Sequence, residues 1–337
     1  MTLSGKRICV QRSGFLPTQT NQLDRGRFFW DFLVINNHFW IFMLRSILSL
    51  RAAGAALVLS TALIMPAVVS AGPQACSTPL TRSIPDRVAR APSGSKVMAQ
   101  LMQTGGTERD AAVVRQVLSG NMPAYLRKLV PVSIAGTLAG GQAVLVTICV
   151  TPGYLAVGND RDFVRVPMGL AAAAQIADQL GFLLPTTKMV DAIYAQAQVQ
   201  LSPKPMKPTN QMCSTAYLVK HDQTVDQQRA RQGRPMSALT AGQKKDLVLT
   251  NRLISKPGRV AIYGWQRPGG KPIQPLSTVH GASYADYSHG VRLVSRTAYV
   301  NGEPRELSEI MRDSDLSRIV SSEGPINNAR ALLASLY

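Results

Sequence analysis

An uncharged run from Ala52 to Val69, preceded by Arg45 and Arg51 and closed by "VSA", decides which part of this chain has to fold. A basic segment, an apolar stretch of this length and a small residue at Ala71 together make a secretory signal segment. Met43 is its natural start, and cleavage is expected before Gly72. Residues 1–42 include "FFWDFLVINNHFWIF", which has neither helical nor strand periodicity. They read as a start-site extension or a membrane-associated leader, and 43–71 as the signal peptide. The body expected to fold is therefore 72–337, exported to the periplasm or the extracellular space. The 18-residue run can also span a bilayer if it is retained. Membrane contact is expected only through that segment, if uncleaved.

The chain holds 37 Lys/Arg against 19 Asp/Glu. Removing the seven basic and two acidic residues of 1–71 leaves 30 against 17, so the basic character belongs to the exported body. Such a balance favours anionic partners, here an anionic cell-wall or envelope polymer. Trp265 is the one tryptophan of 72–337, too little aromatic interleaving for a single-stranded nucleic-acid platform, and no specific nucleic acid is expected. Cys76, Cys149 and Cys213 follow the cleavage point. An oxidising compartment permits one disulfide among them. Cys149 lies in the apolar "AVLVTICVTP" and reads as a small core residue, which leaves Cys76–Cys213 as the expected pair.

Residues 72–94 are a Pro- and Ser-rich lead-in. Helical spacing follows in "SKVMAQLMQ" and "TERDAAVVRQVLSG", with Thr107 as expected N-cap and Gly120 as stop. "VPVSIAG", "QAVLVTICV", "YLAVG" and "DFVRV" read as strands, and "GLAAAAQIADQLGF" and "TTKMVDAIYAQA" as helices. The Pro-rich 202–212 is the candidate boundary between an N-terminal part, 95–201, and a C-terminal part, 213–337. In the latter "DQTVDQQRARQG" reads as a helix, "KDLVLTN" and "GRVAIYGW" as strands, Gly269-Gly270 and Asn301-Gly302 as hairpin turns, and "LSEIMRDSDLSRIVSS" as terminal helices. Helices mixed with short, mainly antiparallel strands, without regular alternation, give α+β as the fold class.

No phosphate-binding loop, dinucleotide fingerprint, HExxH or GxSxG occurs, and no nucleotide cofactor is expected. What remains is polar chemistry in the C-terminal part. His221, His280 and His289 are the only histidines of 72–337, and two of them lie in "STVHGASYADYSHGVRLVS", residues 277–295. Three imidazoles with an open position suit a catalytic zinc, with Asp222, Asp246 or Asp286 able to replace one ligand. Without metal, His221, His280, Asp286 and His289 supply acid–base groups, and Tyr284, Tyr287, Ser288 and Arg292 bind substrate or stabilise charge. His280 and His289 are nine apart, so on a straight strand they would face opposite sides. Either reading requires a bend; a straight polar hairpin, with Arg292 paired to Asp286, is the structural alternative. "GNDRDFVRVP" reads as a solvated turn rather than a calcium loop, because its arginines oppose a cation. Lys244 and Lys245, with Arg229, Arg231 and Arg234, form a candidate anion-binding face.

The stretches "DRDFVRVPMG", "LPTTKMVDAIYAQA", "AGQKKDLVLTNRL", "GRVAIYGWQRPGGKPIQPL" and "ADYSHGVRLV" resemble a family of exported bacterial proteins with no assigned activity. The resemblance covers about residues 150–325 and implies no substrate, activity or fold. Relatives read His where this chain has Gln243 and Gln266, which weakens a metal site built on those positions here. The expected function is a hydrolase acting on a cell-envelope or extracellular polymer through a His/Asp site. The alternative is a non-catalytic binding module for an anionic envelope component.

Overall fold

In the computed structural model, Cys76 and residues 78–337 are described. The leader and signal segment expected over 1–71 lie outside those residues. The first helices are α1 (Gly94–Gln100) and α2 (Gly106–Leu118). On α2, Asp110, Val113, Val114 and Val117 are buried at helical spacing. Its N-cap is Gly105 rather than the expected Thr107, because the chain enters through an extended Gly105 and a Gly106 at φ 56°. Gly120 ends the segment at φ 81°, and a Cβ there would lie 2.1 Å from the Pro85 carbonyl oxygen, so no other residue fits.

The strands β1 (Val130–Thr137) and β2 (Ala143–Val150) form an antiparallel hairpin in unbroken register. A second hairpin joins β3 (Ala156–Gly158) and β4 (Phe163–Arg165). The turn between them is the solvated one expected: Asp160 accepts from the Tyr125 backbone N–H and Asp162 from that of Ser95. Then come α3 (Leu170–Gln179), β5 (Phe182–Leu183) and α4 (Thr187–Gln196). The Thr186 hydroxyl caps α4 by accepting from the Met189 N–H at 3.2 Å.

After β6 (Val199–Gln200) the Pro-rich connector has no regular structure, and α5 (Thr215–Ala230) follows, capped by Ser214. This helix begins seven residues before the polar stretch that signals it. Its buried face is Thr215, Leu218, His221, Asp222, Val225 and Arg229, a helical spacing that a search for apolar residues passes over. The remaining elements are β7 (Thr240–Ala241), β8 (Lys245–Leu247), α6 (Arg252–Ser255), β9 (Ile262–Gln266), β10 (Pro272–Ser277), β11 (His289–Gly290), β12 (Val294–Val300), β13 (Glu303–Glu306), α7 (Leu307–Arg312), α8 (Ser317–Val320) and α9 (Ala329–Ala334).

One sheet runs β1-β2-β12-β13, with β5 also pairing β12. The other runs β10-β9-β8-β11. Pairing is antiparallel except for β8 with β11 and β6 with β7, so the class is α+β as expected. The Asn301-Gly302 turn between β12 and β13 has both residues at positive φ, the geometry that matches strand twist. Every described residue belongs to one compact unit, with no division at 202–212. The connector instead packs on the body: the Tyr287 hydroxyl accepts from the Met206 N–H at 2.9 Å.

Among the described residues a disulfide joins Cys76 to Cys149, which corrects the expected Cys76–Cys213 pair. Cys149 is buried on β2, and the lead-in returns across that strand and brings Cys76 to a Cα separation of 5.4 Å. Apolar surroundings do not keep a cysteine out of a disulfide when its partner is buried with it. The bond closes a loop of 73 residues, and removing such a link costs about 2–5 kcal/mol.

Candidate functional site

Residues 277–295 are not a straight strand. The chain leaves β10 at Ser277, bends through 278–288, returns as β11 beside β8, and continues into β12 of the other sheet. Three backbone contacts fix the bend: Val260 N–H donates to the His280 carbonyl (3.1 Å), Ala282 N–H to Gly258 (2.8 Å) and Tyr284 N–H to Gly281 (2.9 Å). As a result His280 stacks on Tyr284 with centroids 4.1 Å apart, and the Tyr284 ring meets the His289 ring edge-on at 5.6 Å. The bend required by the spacing is present, and the straight hairpin is not.

Asp286 is the anchor of this face. Its Oδ1 accepts from the Ser288 N–H (2.8 Å) and the Ser288 hydroxyl (2.5 Å), and its Oδ2 from the Tyr284 hydroxyl (2.9 Å). Burial opposes its ionisation, but the His289 ring, the Lys245 ammonium and the bonds from Ser288 outweigh it and hold the carboxyl well below the usual range. Ser288 is thus bound to the carboxylate rather than poised beside a histidine. His289 is fully buried, and neither ring nitrogen has a hydrogen-bond partner among the described residues. Burial lowers its pKa to about 4 against the pull of Asp286, so the ring is neutral at pH 7. One nitrogen then offers a proton and the other a lone pair. His280 is half-buried and is also shifted down, first by burial.

The parallel register sets Lys245 directly beside His289, and the Lys245 ammonium lies 5.2 Å from the Trp265 ring centroid. Trp265 holds this wall at φ 58°, a strained conformation for an aromatic residue, with its indole N–H on the Gln243 carbonyl at 3.1 Å. Sequence reasoning placed Lys245 only in a surface charge run. Its neighbour Lys244 is fully buried, donating to the Tyr287 carbonyl (2.6 Å) and lying 3.0 Å from His221 Nδ1. Burial lowers the Lys244 pKa to about 8 and that of His221 to about 2, the latter helped by the Lys244 charge. Arg229 is buried as well, spent on Thr240 Oγ1 and the carbonyls of Arg234 and Pro235. The expected anion-binding face of Lys244 with Arg229 is therefore not assembled.

Three expected site residues sit elsewhere. The His221 ring packs on Tyr287 at 4.9 Å, not on His280 or His289. The Tyr287 hydroxyl is taken by Met206, and its ring joins Leu218 and Trp265 in a small core. Arg292 does not pair with Asp286. It is fully buried, donates to the carbonyls of Thr151 and Thr240 at 2.7 Å each, and stands 3.9 Å from Asp246. Asp222 is bound by Arg165 at 2.9 Å, and Asp246 accepts from the Tyr154 hydroxyl at 2.8 Å. Among the described residues no group of three His, Cys, Asp or Glu is placed to hold a metal ion. Gln243 and Gln266 are both buried, and Gln243 Oε1 and Gln266 Nε2 have no partner among the described residues. The residues brought together are thus the part-exposed His280, Tyr284 and Lys245 over the buried Asp286 and His289. Compared with protein-family models, with curated proteins and with solved structures, the chain matches none.

Proposed function

We propose that this chain is an exported hydrolase acting on a cell-envelope or extracellular polymer, with His289 as its general base. The observation that carries the reading is the imidazole itself: neutral at pH 7, unpartnered at both nitrogens, and backed by a fixed carboxylate and a lysine. A water placed against His289 would lose a proton to it as the water oxygen attacks the scissile bond, and the same proton would pass to the leaving group. Lys245 supplies positive charge for the oxyanion that develops. His280 and Tyr284 form the half-exposed edge through which a chain would reach the ring.

The test is hydrolysis of isolated envelope polymer by the purified protein, read as newly released amine and reducing ends. His289→Gln should lower turnover by about 100-fold or more while the thermal transition stays in place. The acid limb of the rate profile should fall near pH 4, where the base takes up its proton. Equal turnover by His289→Gln would overturn the assignment. The excess of 30 Lys/Arg over 17 Asp/Glu in 72–337 favours a second reading, a non-catalytic module for an anionic envelope component. That reading predicts binding that weakens with salt and survives His289→Gln.

A further inference from the structure

Two loops lie side by side next to the half-exposed His280. Residues 254–259 are exposed without a break, and they run along 276–282. Arg252 donates to the Leu276 carbonyl (3.2 Å) and Arg259 to that of Val279 (2.7 Å). Arg259 and Gly281 form an isolated antiparallel bridge. This rim carries the two most exposed large apolar residues among those described, Ile254 at 61% and Val279 at 71%. Cations surround them. Between Asp246 and Asp286 the chain has no Asp or Glu, and it carries Arg252, Lys256 and Arg259 at the rim, with Arg267 and Lys271 at the far turn of the β9–β10 hairpin. Glu323 borders the rim, 3.8 Å from Arg252 and accepting from the Thr250 hydroxyl, while Asp110 and Asp286 are buried near its 280–282 end.

We infer that the rim of residues 254–259 and 276–282 is a docking surface for a bilayer containing anionic phospholipid. Charge complementarity and apolar exposure select this partner together. A soluble polyanion would satisfy Lys256 and Arg259 but gives Ile254 and Val279 nothing to enter. A neutral surface would accept the two side chains but leave the cations unmatched. An anionic bilayer offers headgroup phosphates at the level of the cations and acyl chains just beneath them. The same contact turns His280 toward the membrane surface. The sequence pointed to membrane contact only through the signal segment, 43–71; the rim lies among the described residues and is independent of the proposed chemistry.

The experiment is flotation of the full chain with phosphatidylcholine vesicles, with and without roughly one third phosphatidylglycerol. Neutral vesicles set the baseline, including whatever 52–69 contributes. Partitioning onto anionic vesicles should exceed that baseline roughly tenfold, and Lys256→Glu should remove most of the excess. The pair Ile254→Ser and Val279→Ser, at exposed positions, should lower it while the melting temperature is unchanged. Equal partitioning onto both vesicle types would overturn the proposal. So would an anionic excess that the serine pair leaves intact, or one that polyglutamate abolishes at equal charge, since either makes the rim a site for polyanions alone.

Discussion

The run Lys244-Lys245-Asp246 lays two different environments on the two sides of one strand. On one side every charge is closed in. Lys244 is tied to Tyr287 and His221, while Asp246 is held by Tyr154 with Arg292 alongside. Gly290 completes that packing because nothing larger fits. On the other side Lys245 is part-exposed beside a histidine with two free nitrogens. The comparison separates two uses of buried polar groups. Partnered, they specify the fold; left unpartnered, they cost stability and offer reactivity.

The largest effect expected of a single change is on the closed side. Arg292→Ala leaves two carbonyls without their donor and Asp246 without its neighbouring cation, and denaturant titration should show a loss of about 3–5 kcal/mol. Lys245→Ala, across the strand, should move the same midpoint by less than about 0.5 kcal/mol. An equal response at both positions would break the distinction.

Acid comes next. His289 titrates at about 4 in the fold, whereas an unfolded histidine takes its proton near 6.5. Between these values the unfolded chain binds more protons, so stability is complete above about pH 6.5 and falls as pH drops toward 4. His289→Leu should recover on the order of 3 kcal/mol of that acid loss. At pH 7 it should be neutral to stabilising, since two buried, unpartnered nitrogens are removed and no hydrogen bond is given up. His221 adds an acid loss of the same sign, so the variant reduces the slope without abolishing it.

The mildest change expected to loosen the closed side is Gly290→Ala. Its Cβ would stand 2.6 Å from the Tyr154 ring and 2.9 Å from the Lys244 Cβ. A cost of about 1–3 kcal/mol in thermal or chemical unfolding is expected. A silent substitution would mean that the closed side is looser than its contacts indicate.

Much of the secondary structure was legible, because β1 to β4, α3 and α4 carry long apolar patterns between glycine, proline and asparagine stops. The two-residue strands β5, β6, β7 and β11 have no period to read; they exist because distant partners hold them. The site divides in the same way. The nine-residue spacing of His280 and His289 called for a bend, and the bend is there. The place of Lys245 depends on a parallel pairing with residues 44 positions later, which leaves no local mark. Arg292 and Tyr287 looked like substrate ligands because polar side chains in a reactive-looking stretch invite that reading, yet both spend their polar atoms on backbone carbonyls and amides. The α5 face was hidden for the opposite reason: charged residues paired with one another can occupy core positions that periodicity reserves for apolar ones.

Trp265 gives this architecture a practical consequence. It is the single tryptophan in residues 72–337, and its indole forms the wall against which the Lys245 ammonium rests. A protein processed before Gly72 would therefore carry its own optical reporter at the site. A ligand that draws Lys245 away would take a cation off the indole face and shift its emission, with no label attached.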